Sequence, residues 1–297
     1  MRKFTNLRSR VVRLGFSPEG TLTAAVRGGL QIGLWEMPAG KFRYWHPHVD
    51  GAVSSFAYSP DGKWLAIGGD VGLAFPVLRA KGNNISEIHG KRPMDAFAFS
   101  TRVVAGRNVL AVGSDRVRLY NLDGDYKAKD PLWDTELPSS AGWFRSIAFH
   151  PSADVLVGCD TANKHIRVWN PLNRASSEIV IRKTSPTAAV FSASGERLMV
   201  AYGAHLQLLD SKTWNTLAEC KHTRGNVTDV AASPCGRWFA TSGTDHTVRF
   251  WNSTTGEAGP VFDWRAGSLT AVAFSPDGLT CAAGGDGGQV VVWDVET

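Results

Sequence analysis

Apolar and polar positions alternate along most of the chain in short runs, the period-two signature of half-buried strands. Val53-Ser54-Ser55-Phe56-Ala57-Tyr58 and Leu269-Thr270-Ala271-Val272-Ala273-Phe274 are two such runs. Each leads through a turn such as Ser59-Pro60-Asp61-Gly62 into a second run, Trp64-Leu65-Ala66-Ile67-Gly68 or, further on, Trp238-Phe239-Ala240-Thr241. Proline presets one turn dihedral and glycine accepts positive φ, so these turns reverse the chain between neighbouring strands. A Gly-rich turn then opens a third run that ends in an aromatic and a polar residue: Trp35-Glu36, Tyr120-Asn121, Trp169-Asn170, Trp251-Asn252 and Trp293-Asp294. A fourth strand is predicted over Lys41–Trp45, Ile85–Ile88, Leu132–Leu137, Ser177–Arg182, Thr216–Lys221 and Pro260–Asp263. Each unit is therefore an antiparallel meander of four short strands.

The units recur at a fixed period. Phe16-Ser17-Pro18-Glu19-Gly20 returns as Tyr58-Ser59-Pro60-Asp61-Gly62 and Phe274-Ser275-Pro276-Asp277-Gly278. Degraded copies stand at Phe99-Ser100-Thr101, Phe149-His150-Pro151, Phe191-Ser192-Ala193-Ser194-Gly195 and Ala232-Ser233-Pro234-Cys235-Gly236. Counted at the second residue of each phrase, the seven copies lie 42, 41, 50, 42, 41 and 42 residues apart. A period of 40–45 with four strands and a Trp-Asp ending resembles the WD-repeat family, over essentially the whole chain. That resemblance implies an all-β fold, a seven-bladed β-propeller of four-stranded antiparallel blades, with residues 1–297 forming one domain. The final unit stops after its third strand, at Trp293-Asp294-Val295-Glu296-Thr297. The spare segment Lys3-Phe4-Thr5-Asn6-Leu7 is expected to complete the last blade as its outer strand and close the ring.

Repeats of this family often carry a hydrogen-bonded His, Ser/Thr, Asp and Trp. The resemblance completes that set only in the sixth unit, at His222, Ser242 or Thr241, Asp245 and Trp251. The seventh unit has Arg265 at the His position and Gly287, beside Asp286, at the Asp position. The fourth has Ser140, Asn163 and Trp169. Ring stability is expected to rest mostly on apolar packing between blades. The long interval between Ser100 and His150 divides between the loop Thr101–Asn108 and the polar stretch Asp123–Asp130, and reads as drift in an exposed loop.

Composition agrees with many tight turns, at Gly 31 and Trp 11 in 297 residues. No apolar run reaches the roughly 18–20 residues that cross a bilayer, and Met1-Arg2-Lys3-Phe4-Thr5-Asn6-Leu7-Arg8 holds no hydrophobic leader, so a cytoplasmic location is expected. Cys159, Cys220, Cys235 and Cys281 are too dispersed for a zinc site or a disulfide framework; three read as buried hydrophobes and Cys235 as a turn thiol. The net charge of +5 is uneven: 20 Lys/Arg oppose 13 Asp/Glu up to residue 150, and 12 oppose 14 beyond it. One half of the ring should be basic.

Catalytic patterns are weak. His46-Pro47-His48-Val49-Asp50 has the spacing of a metal motif, but Gly51 stands where that motif needs another His, and no nucleophile elbow occurs. On the innermost strands, residues two apart should share the axial face: Arg13/Gly15, Ser55/Ala57, Ala96/Ala98, Ser146/Ala148, Ala188/Val190, Asp229/Ala231 and Ala271/Ala273. Only Arg13 and Asp229 are charged there, and they read as a structural pair or as separate solvent contacts. The expected activity is therefore non-enzymatic, with no cofactor and no metal. The family implies a scaffold that holds a protein or peptide segment on the loops entering the inner strands. That rim carries Trp143, Arg145, Arg92, Met94, His48, Arg224 and Arg265, with Arg10 and Lys91 beside them, types enriched at interfaces. Trp143 is the expected anchor, an acidic partner would suit the basic half, and a monomer is expected. A propeller enzyme with a channel site and a nucleic-acid scaffold are the alternatives, the latter disfavoured because the basic residues form no run.

Overall fold

The computed structural model of the chain describes residues 1–7, 9–29, 31–45, 52–69, 73–77, 88–89, 96–102, 104, 107–122, 133–135, 144–180, 184–222, 224–264 and 267–295. The strands begin with β1 (Arg2–Phe4) and β2 to β5 (Val11–Phe16, Leu22–Val26, Ile32–Glu36, Lys41–Trp45). Next come β6 to β9 (Val53–Tyr58, Leu65–Gly69, Leu73–Val77, Ile88–His89) and β10 to β13 (Ala96–Phe99, Val109–Gly113, Val117–Asn121, Trp133–Thr135). β14 to β17 cover Phe144–Phe149, Leu156–Asp160, His165–Trp169 and Ser176–Val180, and β18 to β21 cover Ala188–Phe191, Arg197–Tyr202, His205–Asp210 and Thr216–Lys221. The last are β22 to β25 (Val227–Ala232, Trp238–Gly243, Thr247–Asn252, Ala258–Asp263) and β26 to β28 (Leu269–Phe274, Thr280–Gly285, Val290–Asp294). Each group of four from β2 to β25 pairs in sequence order, while β26, β27 and β28 take β1 as their fourth strand. The chain is an all-β propeller of four-stranded antiparallel blades. The innermost strands β2, β6, β10, β14, β18, β22 and β26 lie side by side in that order, and β26 also lies against β2.

The repeated turn phrase has a local cause. Its serine is buried and its hydroxyl accepts the N–H five residues on: Trp64 to Ser59 at 2.8 Å, Trp238 to Ser233 at 2.9 Å and Thr280 to Ser275 at 2.9 Å. Gly62 and Gly278 hold φ of 69° and 72° in these turns, a region that side chains resist. In the fourth blade His150 replaces the serine, and its Nδ1 accepts the N–H groups of Ser152 and Ala153 at 3.1 and 2.9 Å.

Between blades the core is apolar. Leu14, Leu22 and Trp35 of the first blade pack with Ala271, Ala282, Val290 and Val292 of the last. β1 reaches β28 in the register Arg2 to Val292, Lys3 to Val291 and Phe4 to Val290. It is shorter than the expected Lys3–Leu7, because Asn6 and Leu7 leave the strand to pack on the first blade. The Leu7 side chain is buried, the Tyr44 hydroxyl donates to the Asn6 carbonyl at 2.8 Å, and the Phe4 and Trp35 rings lie 5.5 Å apart. Outer strands shift similarly elsewhere: Ile88–His89, Trp133–Thr135, Ser176–Val180 and Ala258–Asp263 replace the expected ranges. These solvent-facing edges carry little hydrophobic pattern to fix their ends.

The sixth blade holds the complete polar set, with Thr241 as its hydroxyl. Trp251 Nε1 donates to Thr241 Oγ1 at 2.9 Å, and His222 Nε2 lies 2.7 Å from the same oxygen. The indole N–H can only donate; with the threonine proton on the shorter contact to Nε2 rather than on the Arg249 carbonyl at 3.3 Å, Nδ1–H faces the Asp245 carboxylate at 3.6 Å. Burial pushes the His222 imidazole down to about 4, against the pull of Asp245. Ser242 lies apart from this set and contacts Thr228 Oγ1 at 2.8 Å. In the seventh blade Ala283 occupies the strand position of Thr241, so the buried Trp293 Nε1 has no acceptor among the described residues. The fourth blade uses an unforeseen residue. Asp160, fully buried, accepts Asn163 Nδ2 at 3.1 Å and Arg167 Nε at 3.4 Å, while Ser140 lies outside the described residues.

Candidate functional site

A cavity of about 700 Å³ opens at the axis, at the end where the innermost strands begin. Its walls carry consecutive residues: Val12 with Arg13, Ser54 with Ser55, Arg145 with Ser146, and Thr228 with Asp229. A regular strand would turn one of each pair away from the axis. Register shifts between Val11 and Arg13, Val53 and Ser55, Phe144 and Ile147, Val227 and Asp229, and Leu269 and Ala271 explain the departure. Each is a bulge in which an extra residue re-aims the strand just where it enters the ring. The bulges correct the expectation of simple alternation on the axial face. That expectation missed Val12, Ser54, Thr228 and Thr270 as cavity-lining residues, while Arg145, expected on the rim, lines the cavity.

Most hydroxyls here are used internally. Innermost strands of neighbouring blades do not pair as ladders, so their edge groups need other partners. Thr228 Oγ1 lies 2.9 Å from the Leu269 carbonyl oxygen of the next blade, and Thr270 Oγ1 bonds the Val11 carbonyl of the first. Ser146 Oγ accepts the Ala189 N–H at 3.2 Å, and Asp229 Oδ2 accepts that of Val272, also at 3.2 Å. Arg13 Nη1 lies 3.8 Å from Asp229 Oδ1, so the two axial charges pair. Burial raises the Asp229 carboxyl, opposed by Arg13 and by the Val272 and Val230 N–H groups. This side chain thus ties the first, sixth and seventh blades together.

The cavity is rich in arginine. Arg10, Arg13, Arg27 and Arg145 line it, against one lining carboxylate, Asp229. Arg10 Nε pairs with Asp286 Oδ1 at 3.0 Å. The Arg27 N–H donates to the Arg10 carbonyl at 2.8 Å, which holds the β3–β4 turn beside the mouth. Arg224 is exposed in the turn before β22 and does not line the cavity. Trp143, Arg92, Met94, His48 and Arg265 lie outside the described residues, as do Lys91 and the His46–Asp50 segment. Among the described residues there is no cluster of three metal-ligating side chains. Burial raises the Cys159, Cys220 and Cys281 thiols, while Cys235 is exposed. No helix among the described residues is long and apolar enough to cross a membrane.

The family model for "WD domain, G-beta repeat" matches residues 41–70, 135–170, 214–252 and 260–294. Those four stretches are WD40 repeats. The chain is 31% identical over 94 residues to the small ribosomal subunit protein RACK1y of Oryza sativa subsp. japonica, covering 27% of this chain and 28% of that protein. Over 89 residues it is 35% identical to the small ribosomal subunit protein RACK1 of Caenorhabditis elegans, covering 27% of each. The matched stretch thus spans little more than a quarter of either curated relative. A chain in a crystal structure of the mitotic checkpoint complex superposes with a TM-score of 0.85 at 14% identity, covering all of this chain and 94% of that one. At that identity the likeness concerns the fold alone.

Proposed function

We propose that residues 1–297 form a single seven-bladed WD40 ring, closed by β1, that acts as a non-catalytic cytoplasmic platform for a protein or peptide segment. The observation that carries this reading is the axial cavity, where the bulged starts of β2 and β14 bring Arg13 and Arg145 beside Arg10 and Arg27. Side-by-side innermost strands and the β1–β28 pairing support the closed ring. Relatives named as small ribosomal subunit proteins belong to a larger assembly, in keeping with a platform role. Trp143, Arg145, Arg92, Met94, His48, Arg224 and Arg265 remain the proposed contact set, and the place of Arg145 in the cavity lining supports its inclusion. An affinity pull-down comparing wild type with Trp143→Ala/Arg145→Glu tests the face, with Leu172→Glu, in the exposed β16–β17 turn, as control. Selective loss of partners in the double variant is expected; identical partner lists for all three proteins would place binding elsewhere.

A further inference from the structure

We propose that the axial mouth binds the carboxylate side chains of an acidic peptide segment, read by Arg27 and Arg145. The inference rests on the loop-face platform reading and names the chemistry of its occupant. Four arginines surround the mouth, and two of them are already engaged, Arg10 by Asp286 at 3.0 Å and Arg13 by Asp229 at 3.8 Å. Arg27 and Arg145 have no carboxylate partner among the described residues, and both are exposed. The threonine hydroxyls nearby bond backbone carbonyls, so they are spent as donors for a ligand. The charged donors left to an incoming group are the Arg27 and Arg145 guanidinium forks, whose planar geometry suits a carboxylate.

Placement narrows the ligand further. Arg27 belongs to the first blade and Arg145 to the fourth, which lies across the axis in the order of innermost strands. Two positive walls around one opening fit a segment that crosses the mouth with acidic side chains near both ends. A nucleic-acid strand would instead call for cations tracking along a groove with stacking aromatics. Gathering like charges around one concavity also leaves mutual repulsion that an anionic segment relieves.

Fluorescence anisotropy tests the proposal with three dye-labelled probes: a peptide alternating Glu and Gly, its Gln counterpart, and a single-stranded RNA. Wild type, Arg27→Gln, Arg145→Gln and the control Lys41→Gln on outer strand β5 are compared, after matched melting curves confirm folding. The Glu peptide should bind, the Gln peptide at least tenfold more weakly. Each arginine variant should lose about tenfold, the equivalent of one charge-assisted hydrogen bond, and Lys41→Gln should match wild type. Affinity for the Glu probe should fall between 50 and 200 mM salt. Equal binding by both arginine variants, or RNA binding that depends on the same arginines and outcompetes the Glu peptide, would overturn the inference. If the Glu probe fails while the double variant in the pull-down still loses partners, the platform reading stands and the acidic occupant falls. Failure of both experiments removes both.

Discussion

Acid should expose the buried His222 network as a defined loss of stability. The imidazole is fully buried, held by Thr241 at 2.7 Å, and titrates at about 4 rather than the ordinary value near 6.5. Because the unfolded chain takes up the proton more readily, the contribution of neutral His222 is complete above about pH 6.5 and drains away as pH falls towards 4. For a shift from about 6.5 to about 4, the loss between pH 7 and pH 4.5 is about 2.5 kcal/mol. The Asp245 carboxyl is held below its usual range, so its own decline belongs to lower pH and leaves this window clear. Burial also lowers His150, whose titration is common to wild type and variant and cancels in the comparison. Urea unfolding of wild type and His222→Gln at pH 7 and pH 4.5 gives the answer. The variant should lose about 2.5 kcal/mol less than wild type on acidification; equal losses would mean that His222 does not carry the proton linkage.

Five further outcomes follow from the packing. Ala283→Ser should give the buried Trp293 indole an acceptor and raise stability by about 1 kcal/mol in thermal melts, whereas a lower melting point would show that the strand cannot take the hydroxyl. Gly243→Ala should destabilise the sixth blade, since the added carbon would meet Asp245 Oδ1 at 2.6 Å and His222 Nδ1 at 2.8 Å; chemical denaturation would read the loss. Leu7→Ala should cost about 2–5 kcal/mol, and deleting residues 1–8 should lower the melting temperature by many degrees. Trp169→Ala, at a nearly inaccessible site, should cost about 3–5 kcal/mol by denaturant titration, and an effect near zero would contradict its place in the interblade core.

The fold was legible because its signals are local. Ser59, Ser233 and Ser275 recur since one hydroxyl in each turn must accept a particular N–H, and Trp169, Trp251 and Trp293 recur since they fill the gap between blades. Sequence reading also brought Arg13 and Asp229 to one axis, where they pair. It failed where geometry depends on one extra residue. The family's loop face put Arg145 on the rim, whereas alternation took no account of Thr228 and Thr270, because a bulge leaves the strand pattern intact apart from its first step. Asp160 was missed for another reason. A carboxylate at the end of an apolar strand looks like a turn residue until Asn163 and Arg167 are seen to enclose it.

The pairing of Arg2–Phe4 with Val290–Val292 also dictates an order of assembly. On a ribosome, β1 is made before any other strand described here and its partner after nearly all of them. Blades such as β18 to β21 can form from local segments as they emerge. β1 must wait, with its backbone edge unpaired, until β28 is synthesised. Of all the strand pairings, this one spans the greatest length of chain, and its closure entropy can be met only when the other blades already hold the two ends close. The basic, exposed Arg2 and Lys3 at the free strand keep that waiting segment soluble and poorly suited to pairing with another chain.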